Sequence, residues 1–163
     1  MLKNIFKKKE INNAFVSPMS GSVVPLEEVP DQVFSQKMMG DGIAIEPTDE
    51  TVLSPIDGEV VDVFKTKHAI NMRADNGAEI LIHMGLETVQ LQGEGFDILV
   101  SNGQKVKAGE PLAKMNIHTI IEKGCQTVTP IILLNGDEYK ISNRTTEKHV
   151  TAGNDQLFQI NKK

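Results

Sequence analysis

From Phe15 onward, short apolar runs recur along the chain and are separated by glycine, proline, asparagine and aspartate. Residues 58–64 (GEVVDVF) and 79–83 (EILIH) are two such runs. Runs of this length between turn-forming residues predict β-strands. A helical period is scarce, so we expect only short helices, around residues 30–35 and 119–123. The pattern indicates an all-β fold, an antiparallel β-sandwich or barrel-sandwich.

One of these strand-and-turn segments occurs twice. Residues 16–24 read VSPMSGSVV and residues 53–61 read LSPIDGEVV, with five of nine positions identical. In each copy a proline begins a turn, a glycine can take a positive φ, and paired valines begin a strand. A later pair, VKAG at 106–109 and VTAG at 150–153, repeats a strand-to-turn pattern. We therefore predict an internal pseudo-repeat of two β halves packed together.

The first fourteen residues differ from the rest in composition. They carry four lysines, and a helix here would place Leu2, Ile5 and Phe6 on the opposite face. Weak docking to an anionic membrane surface is one interpretation of this pattern. A solvated, mobile terminus is the other, and it is favoured because the apolar anchors are few. We predict a basic tail over residues 1–14 and a single domain over 15–163.

Composition narrows the classes of function. The chain has 163 residues, 39% of them hydrophobic, which suits one globular domain. A net charge of −5 and the absence of tryptophan argue against a nucleic-acid partner. Cys125 is the single cysteine, which fits a reducing compartment. No segment reaches the ~20 apolar residues of a membrane-spanning helix, so we expect a cytoplasmic protein.

Two of the four histidines are candidates for chemistry. His83 ends an apolar run, and His68 lies at the edge of another. A histidine in such a run must be hydrogen-bonded or functional, because burying an unpaired imidazole costs free energy. If the two strands are neighbours, the two imidazoles face each other. His118 and His149 have polar surroundings and are interpreted as ordinary surface residues.

Metal binding and phosphoryl transfer are the two chemistries that a histidine pair allows. Two imidazoles fall short of a structural zinc site, so no intrinsic metal is expected, although a partner protein can supply a third ligand to His68 and His83. A neutral imidazole can instead attack phosphorus without a separate base. A second imidazole can then donate a hydrogen bond to the phosphoryl oxygens. The pair therefore suits phosphoryl transfer better than hydrolysis at a metal.

Four motifs carry a resemblance to a known family. They are PDQVFSQKMMGDGIAI at residues 30–45, TKHA at 66–69, LIHMGLETV at 81–89 and GEGF at 93–96. Together they resemble the glucose-type enzyme IIA of the bacterial sugar phosphotransferase system, in order from about Phe15 to the C-terminus. The resemblance implies an antiparallel β-sandwich with a shallow active surface, and it implies no cofactor.

The resemblance also implies a role for each site residue. His83 is phosphorylated on Nε2, and His68 stabilises the phosphoryl group. Thr66 supplies the hydroxyl that orients His68, and Gly85 the carbonyl that holds His83. The expected partners are the phosphocarrier HPr, as phosphoryl donor, and the cysteine of a IIB domain, as acceptor. The protein is then a phosphotransferase component without turnover of a small molecule of its own.

Two other classes remain as alternatives. A lipoyl- or biotin-type carrier is a small β-sandwich with similar turns, and residues 54–60 and 103–112 would suit one. It requires a modified lysine at an exposed hairpin tip, whereas Lys114 lies in a predicted strand. A β-sheet metallopeptidase, or an interaction protein that depends on a metal, requires more ligands than the histidine pair supplies.

Overall fold

The computed structural model describes residues 12–163, which form fourteen strands and four short helical segments. All the strand pairs are antiparallel. The strands are β1 (Ala14–Val16), β2 (Gly21–Pro25), β3 (Gly42–Pro47), β4 (Thr51–Leu53), β5 (Gly58–Val63), β6 (Ala69–Ala74), β7 (Glu79–His83), β8 (Phe96–Ile98), β9 (Lys105–Val106), β10 (Pro111–Met115), β11 (Thr129–Leu133), β12 (Tyr139–Ser142), β13 (His149–Val150) and β14 (Gln156–Lys162).

An eight-stranded sheet in the order β13-β2-β3-β11-β7-β6-β5-β9 packs against two three-stranded sheets, β1-β14-β12 and β4-β10-β8. Alternate residues of the large sheet, such as Ile70 and Ile82, point into the space between the layers. They join Phe158 of β14 and Leu112 of β10 in one buried cluster. The predicted antiparallel β-sandwich is therefore confirmed.

A second apolar cluster covers the other face of the large sheet. It combines Ala69 of β6 and Leu81 of β7 with Phe34 from the helix Gln32–Ser35. The Asp31 side chain caps this helix by accepting a hydrogen bond from the Val33 N–H at 2.9 Å. This four-residue helix is too short to persist alone. The cap and the buried phenyl ring hold it on the sheet.

The predicted pseudo-repeat is present in three dimensions. Ser17 and Ser54 occupy equivalent turns, are fully buried, and each donates its hydroxyl to the carbonyl two residues on, at 2.6 and 2.7 Å. The later repeated segments pair in the same way. The Gly109 N–H donates to the Ser54 carbonyl and the Gly153 N–H to the Ser17 carbonyl, both at 2.8 Å.

The two copies of the repeat also bond to each other reciprocally. The Val16 N–H donates to the Pro55 carbonyl at 2.9 Å, and the Leu53 N–H to the Pro18 carbonyl at 2.8 Å. This exchange relates the copies by an approximate twofold rotation and brings the two turns together. The serine and proline shared by both copies therefore act as structural residues.

The two α-helices were predicted from the sequence, and two 3-10 helices were not. The helices expected at 30–35 and 119–123 are observed as Gln32–Ser35 and Ile117–Glu122. Two 3-10 helices, Leu26–Glu28 and Thr88–Leu91, were not predicted. The basic tail predicted over residues 1–14 falls largely outside the described residues. Across residues 12–163, no helix has the length and apolar character needed to cross a membrane.

Candidate functional site

The histidine pair lies where β6 and β7 meet at one end of the large sheet. Ala69 of β6 pairs with His83 of β7 in the antiparallel register. His68 directly precedes β6, so the register brings the two histidines together. Their ring centroids are 4.9 Å apart, and the rings meet edge to face at 78°. The predicted juxtaposition is therefore observed.

One nitrogen of His83 is fixed by the backbone. Its Nδ1 lies 2.8 Å from the Gly85 carbonyl oxygen. A carbonyl can only accept, so Nδ1 carries the proton and Nε2 holds a free electron pair. The Phe34 ring lies against this imidazole, with ring centroids 4.9 Å apart. In this tautomer Nε2 is the nitrogen with an electron pair available, and no base is needed to remove a proton from it.

The carbonyl that holds His83 depends on a glycine. Gly85 has a φ of 79°, in the left-handed region. A Cβ at this position would stand 2.7 Å from the Gln126 carbonyl oxygen and 2.6 Å from the Thr88 methyl carbon. Both distances are too short for real contacts. Only glycine can occupy this position without displacing the loop.

His68 is more deeply buried, with 4% of its surface exposed. Its Nδ1 lies 2.7 Å from the Thr66 hydroxyl. The Phe64 ring meets the imidazole edge to face, at 88° and a centroid distance of 5.4 Å. When the Thr66 hydroxyl donates to Nδ1, the proton of the neutral ring is on Nε2, which can then donate to a ligand.

The loops that carry the two histidines are bonded to each other. The Met84 N–H donates to the His68 carbonyl at 2.7 Å. The Thr88 hydroxyl donates to the Met84 carbonyl at 2.6 Å, which holds the start of the Thr88–Leu91 segment against the site. Both imidazoles therefore belong to one framework of short hydrogen bonds, a preorganised arrangement.

Burial keeps both imidazoles neutral at physiological pH. It lowers the pKa of His68 from 6.5 to about 4, with a smaller contribution from the neighbouring His83. Burial also lowers the pKa of His83, although the Gly85 carbonyl and the Asp31 carboxylate partly oppose this effect. A neutral His83 retains the electron pair on Nε2 that a nucleophile requires.

The other residues considered from the sequence lie apart from this pair. His118 is exposed and lies 3.6 Å from the Glu122 carboxylate, and His149 is exposed beside the Ser22 hydroxyl. Lys114 lies within β10, paired on both sides, so it is not at a hairpin tip as a carrier lysine would be. Within residues 12–163, no three His, Cys, Asp or Glu side chains are grouped to hold a metal ion.

Sequence reasoning missed the apolar surroundings of the site. Phe34 and Phe64 contact the imidazoles, but neither the motif that contains Phe34 nor the apolar run that ends at Phe64 shows the contact. Exposed apolar side chains also occur within residues 33–39, which include Phe34, and within the 3-10 helix Thr88–Leu91 that follows the His83 loop. They are Val33 (40% exposed), Met38 (69%), Met39 (40%) and Val89 (51%). Exposed apolar side chains are features of protein-docking surfaces when they form one patch.

Comparison with known proteins gives one consistent family. The family model described as phosphoenolpyruvate-dependent sugar phosphotransferase system, EIIA 1, matches residues 13–139. A "PTS system glucose-specific EIIA component" of Oceanobacillus iheyensis is 50% identical over 163 residues, which cover 98% of this chain and 99% of the relative. One with the same name from Bacillus cereus is 46% identical over the full length of both chains.

A solved structure agrees with these relatives. The "glucose permease IIA from Mycoplasma capricolum" superimposes with a TM-score of 0.80 at 34% identity, covering 94% of this chain and 96% of that one. The relatives and the solved structure match nearly the whole sequence, and the family model matches residues 13–139. The chain therefore belongs to the EIIA family of the phosphoenolpyruvate-dependent sugar phosphotransferase system and is a phosphocarrier component of sugar uptake.

Proposed function

We propose that this protein accepts a phosphoryl group from phospho-HPr on Nε2 of His83 and donates it to the cysteine of a IIB domain. One observation carries the proposal. The Nδ1–H of His83 is bonded to the Gly85 carbonyl, so the remaining nitrogen holds its electron pair free. An imidazole fixed in this tautomer is prepared for attack on phosphorus.

Each transfer exchanges one bond to phosphorus for another. In the first step the Nε2 electron pair of His83 attacks phosphorus, an N–P bond forms, and the bond to HPr breaks with its electrons leaving on the donor atom. In the second step the cysteine thiolate attacks phosphorus, an S–P bond forms, and Nε2 recovers its electron pair. The Nδ1 proton stays bonded to Gly85 throughout, so the site needs no proton transfer of its own.

His68 has a different part in this scheme. Its ring lies 4.9 Å from that of His83 and is held through Nδ1 by Thr66. In the tautomer that accepts from the Thr66 hydroxyl, Nε2–H donates to an oxygen of the moving phosphoryl group, whose charge grows on the equatorial oxygens during transfer. Thr66 and Gly85 act through the two histidines and are positioning residues.

The surface around the histidines favours protein partners over a small molecule. Val33, Met38 and Val89 are exposed apolar residues, two of them close in sequence to Phe34, whose ring contacts the partly buried His83. Asp31 adds a carboxylate near His83. An apolar rim with an acidic group suits a partner that presents cationic groups with the phosphoryl it carries. HPr, the phosphoryl donor, is a partner of this kind in the proposal.

The names of the relatives give glucose as the sugar. We propose the same sugar for the pathway that this chain serves. An EIIA protein passes the phosphoryl group to a protein cysteine, so the choice of sugar depends on the membrane partner. Uptake of labelled glucose in cells that lack this chain, with and without a plasmid copy, tests that assignment.

Phosphoryl transfer between purified proteins tests the proposed site. Wild-type protein, His83→Ala and the matched control His118→Ala are mixed with radiolabelled phospho-HPr and then with a IIB domain. Wild type and His118→Ala should become labelled and pass the label on, and His83→Ala should remain unlabelled. A folded His83→Ala variant that is labelled at the wild-type rate would refute the proposal.

A further inference from the structure

Lys67 has an unusual backbone conformation for its residue type. Its φ is 61°, in the left-handed region that lysine rarely adopts. It lies between Thr66 and His68, the two residues joined by the hydrogen bond that orients the His68 ring. Uncommon conformations of this kind persist only where the surroundings hold them, and they concentrate at functional sites.

The left-handed residue closes the turn between β5 and β6. The Lys67 N–H donates to the Phe64 carbonyl at 2.8 Å, and the Phe64 N–H donates to the Ala69 carbonyl at 3.0 Å. The bend at Lys67 lies between Thr66 and His68, and across it the Thr66 hydroxyl reaches Nδ1 of His68 at 2.7 Å.

The Lys67 side chain explains how this conformation is held. It lies on Gly93, where the Lys67 Cδ is 3.3 Å and the Cε 3.7 Å from the position that a Cβ would take. Gly93 has no Cβ, so its face is open to the methylene chain, and its own φ is 95°. The Lys67 side chain as a whole is exposed, so the dispersion contacts of its methylenes with Gly93 offset only part of its unfavourable backbone.

The turn at Lys67 is also connected to the phosphoryl-accepting histidine. The His68 carbonyl accepts from the Met84 N–H at 2.7 Å, and Met84 lies between His83 and Gly85. Each imidazole is therefore held through Nδ1 by a group two residues away in the chain. Each of the two turns contains a residue with positive φ, which is Lys67 for His68 and Gly85 for His83.

We propose that Lys67 is a positioning residue for phosphoryl transfer. Its left-handed backbone, held by the seating of its methylene chain on Gly93, keeps the Thr66 hydroxyl on Nδ1 of His68. This inference rests on the proposed function for its kinetic consequence, while its structural claim concerns His68 alone. The Lys67 ammonium group has no part in this positioning of His68.

Three substitutions separate backbone, methylene chain and charge. Lys67→Ala keeps the unfavourable left-handed backbone and removes the methylene contact with Gly93, so the turn should relax. Lys67→Gly removes the methylene contact, and it also removes the conformational penalty because glycine adopts a positive φ freely. Lys67→Met keeps the methylenes without the charge. We expect onward transfer from phosphorylated Lys67→Ala to a IIB domain to fall at least about tenfold, because misplaced groups lose rate steeply. Lys67→Gly and Lys67→Met should stay within about threefold of wild type.

Imidazole ¹H–¹⁵N spectra of the unphosphorylated proteins supply the readout that does not depend on transfer. The nitrogen shifts of His68, which report its tautomer, should change in Lys67→Ala and match wild type in Lys67→Gly and Lys67→Met. Unchanged shifts and an unchanged rate in Lys67→Ala, or equal defects in the alanine and glycine variants, would overturn the proposal. Failure of wild-type protein to accept label from phospho-HPr would instead refute the proposed function and leave the spectroscopic test in force.

Discussion

The burial of His68 makes the stability of the fold depend on pH in a way that one substitution should remove. Its pKa is lowered from 6.5 to about 4 in the folded protein, chiefly by burial. Between these values the unfolded chain binds a proton at His68 and the folded protein does not. Stability therefore falls as the pH drops below about 6.5, since the unfolded state binds more protons.

The size of the effect follows from the pKa shift. At pH 5 the unfolded imidazole lies about 1.5 pH units below its own pKa, and the folded one is still mostly neutral. At about 1.36 kcal/mol per unit, this group removes about 2 kcal/mol of stability between pH 7 and pH 5. Glutamine at position 68 does not titrate, so His68→Gln should lack this loss.

Urea unfolding of both proteins at pH 7, 6 and 5 measures the difference. The carboxylates titrate in both proteins, so their contribution cancels when the variant is subtracted from wild type. Wild type should lose about 2 kcal/mol more than His68→Gln over this range. Equal losses in the two proteins, or an NMR titration that places the pKa of His68 near 6.5, would refute the reasoning.

Three further predictions concern transfer. His68→Gln should accept phosphate on His83 but donate it to a IIB cysteine about 10²–10³ times more slowly, because an imidazole that stabilises charge is lost; unchanged donation would make His68 a structural neighbour only. Gly85→Ala should slow labelling and lower the urea midpoint, since its Cβ would stand 2.7 Å from the Gln126 carbonyl; wild-type values for both would contradict the role given to this loop. Thr66→Val should slow donation about tenfold with Thr66→Ser near wild type, and equal rates in the two variants would remove the hydroxyl from the scheme.

The strand pattern and the motifs were enough to predict the pairing of the histidines. The run at Glu79–His83 is observed as β7 with the predicted bounds, and the repeat at residues 16–24 and 53–61 is observed as two matched turns. Local signals sufficed there because a two-residue period and a serine–proline turn are both encoded by neighbours in the chain.

The surroundings of the site could not be predicted in the same way. The Phe34 ring lies against His83 because a four-residue helix packs on the sheet, across about fifty residues of chain. The left-handed backbone of Lys67 opposes the preference of lysine and is held by Gly93, which is distant in sequence. The pKa of His68 depends on burial by several strands together. These features arise from tertiary packing, which overrides local propensity.

The atom that carries the phosphoryl group can be identified by NMR on the phosphorylated protein. Protein labelled with ¹⁵N in its histidines is incubated with phospho-HPr, and ¹H–¹⁵N spectra are recorded before and after. We expect a phosphorylation shift at Nε2 of His83 alone, with its Nδ1 still protonated and the signals of His118 and His149 unchanged. Phosphate on Nδ1 of His83, or on any other residue, would contradict this expectation.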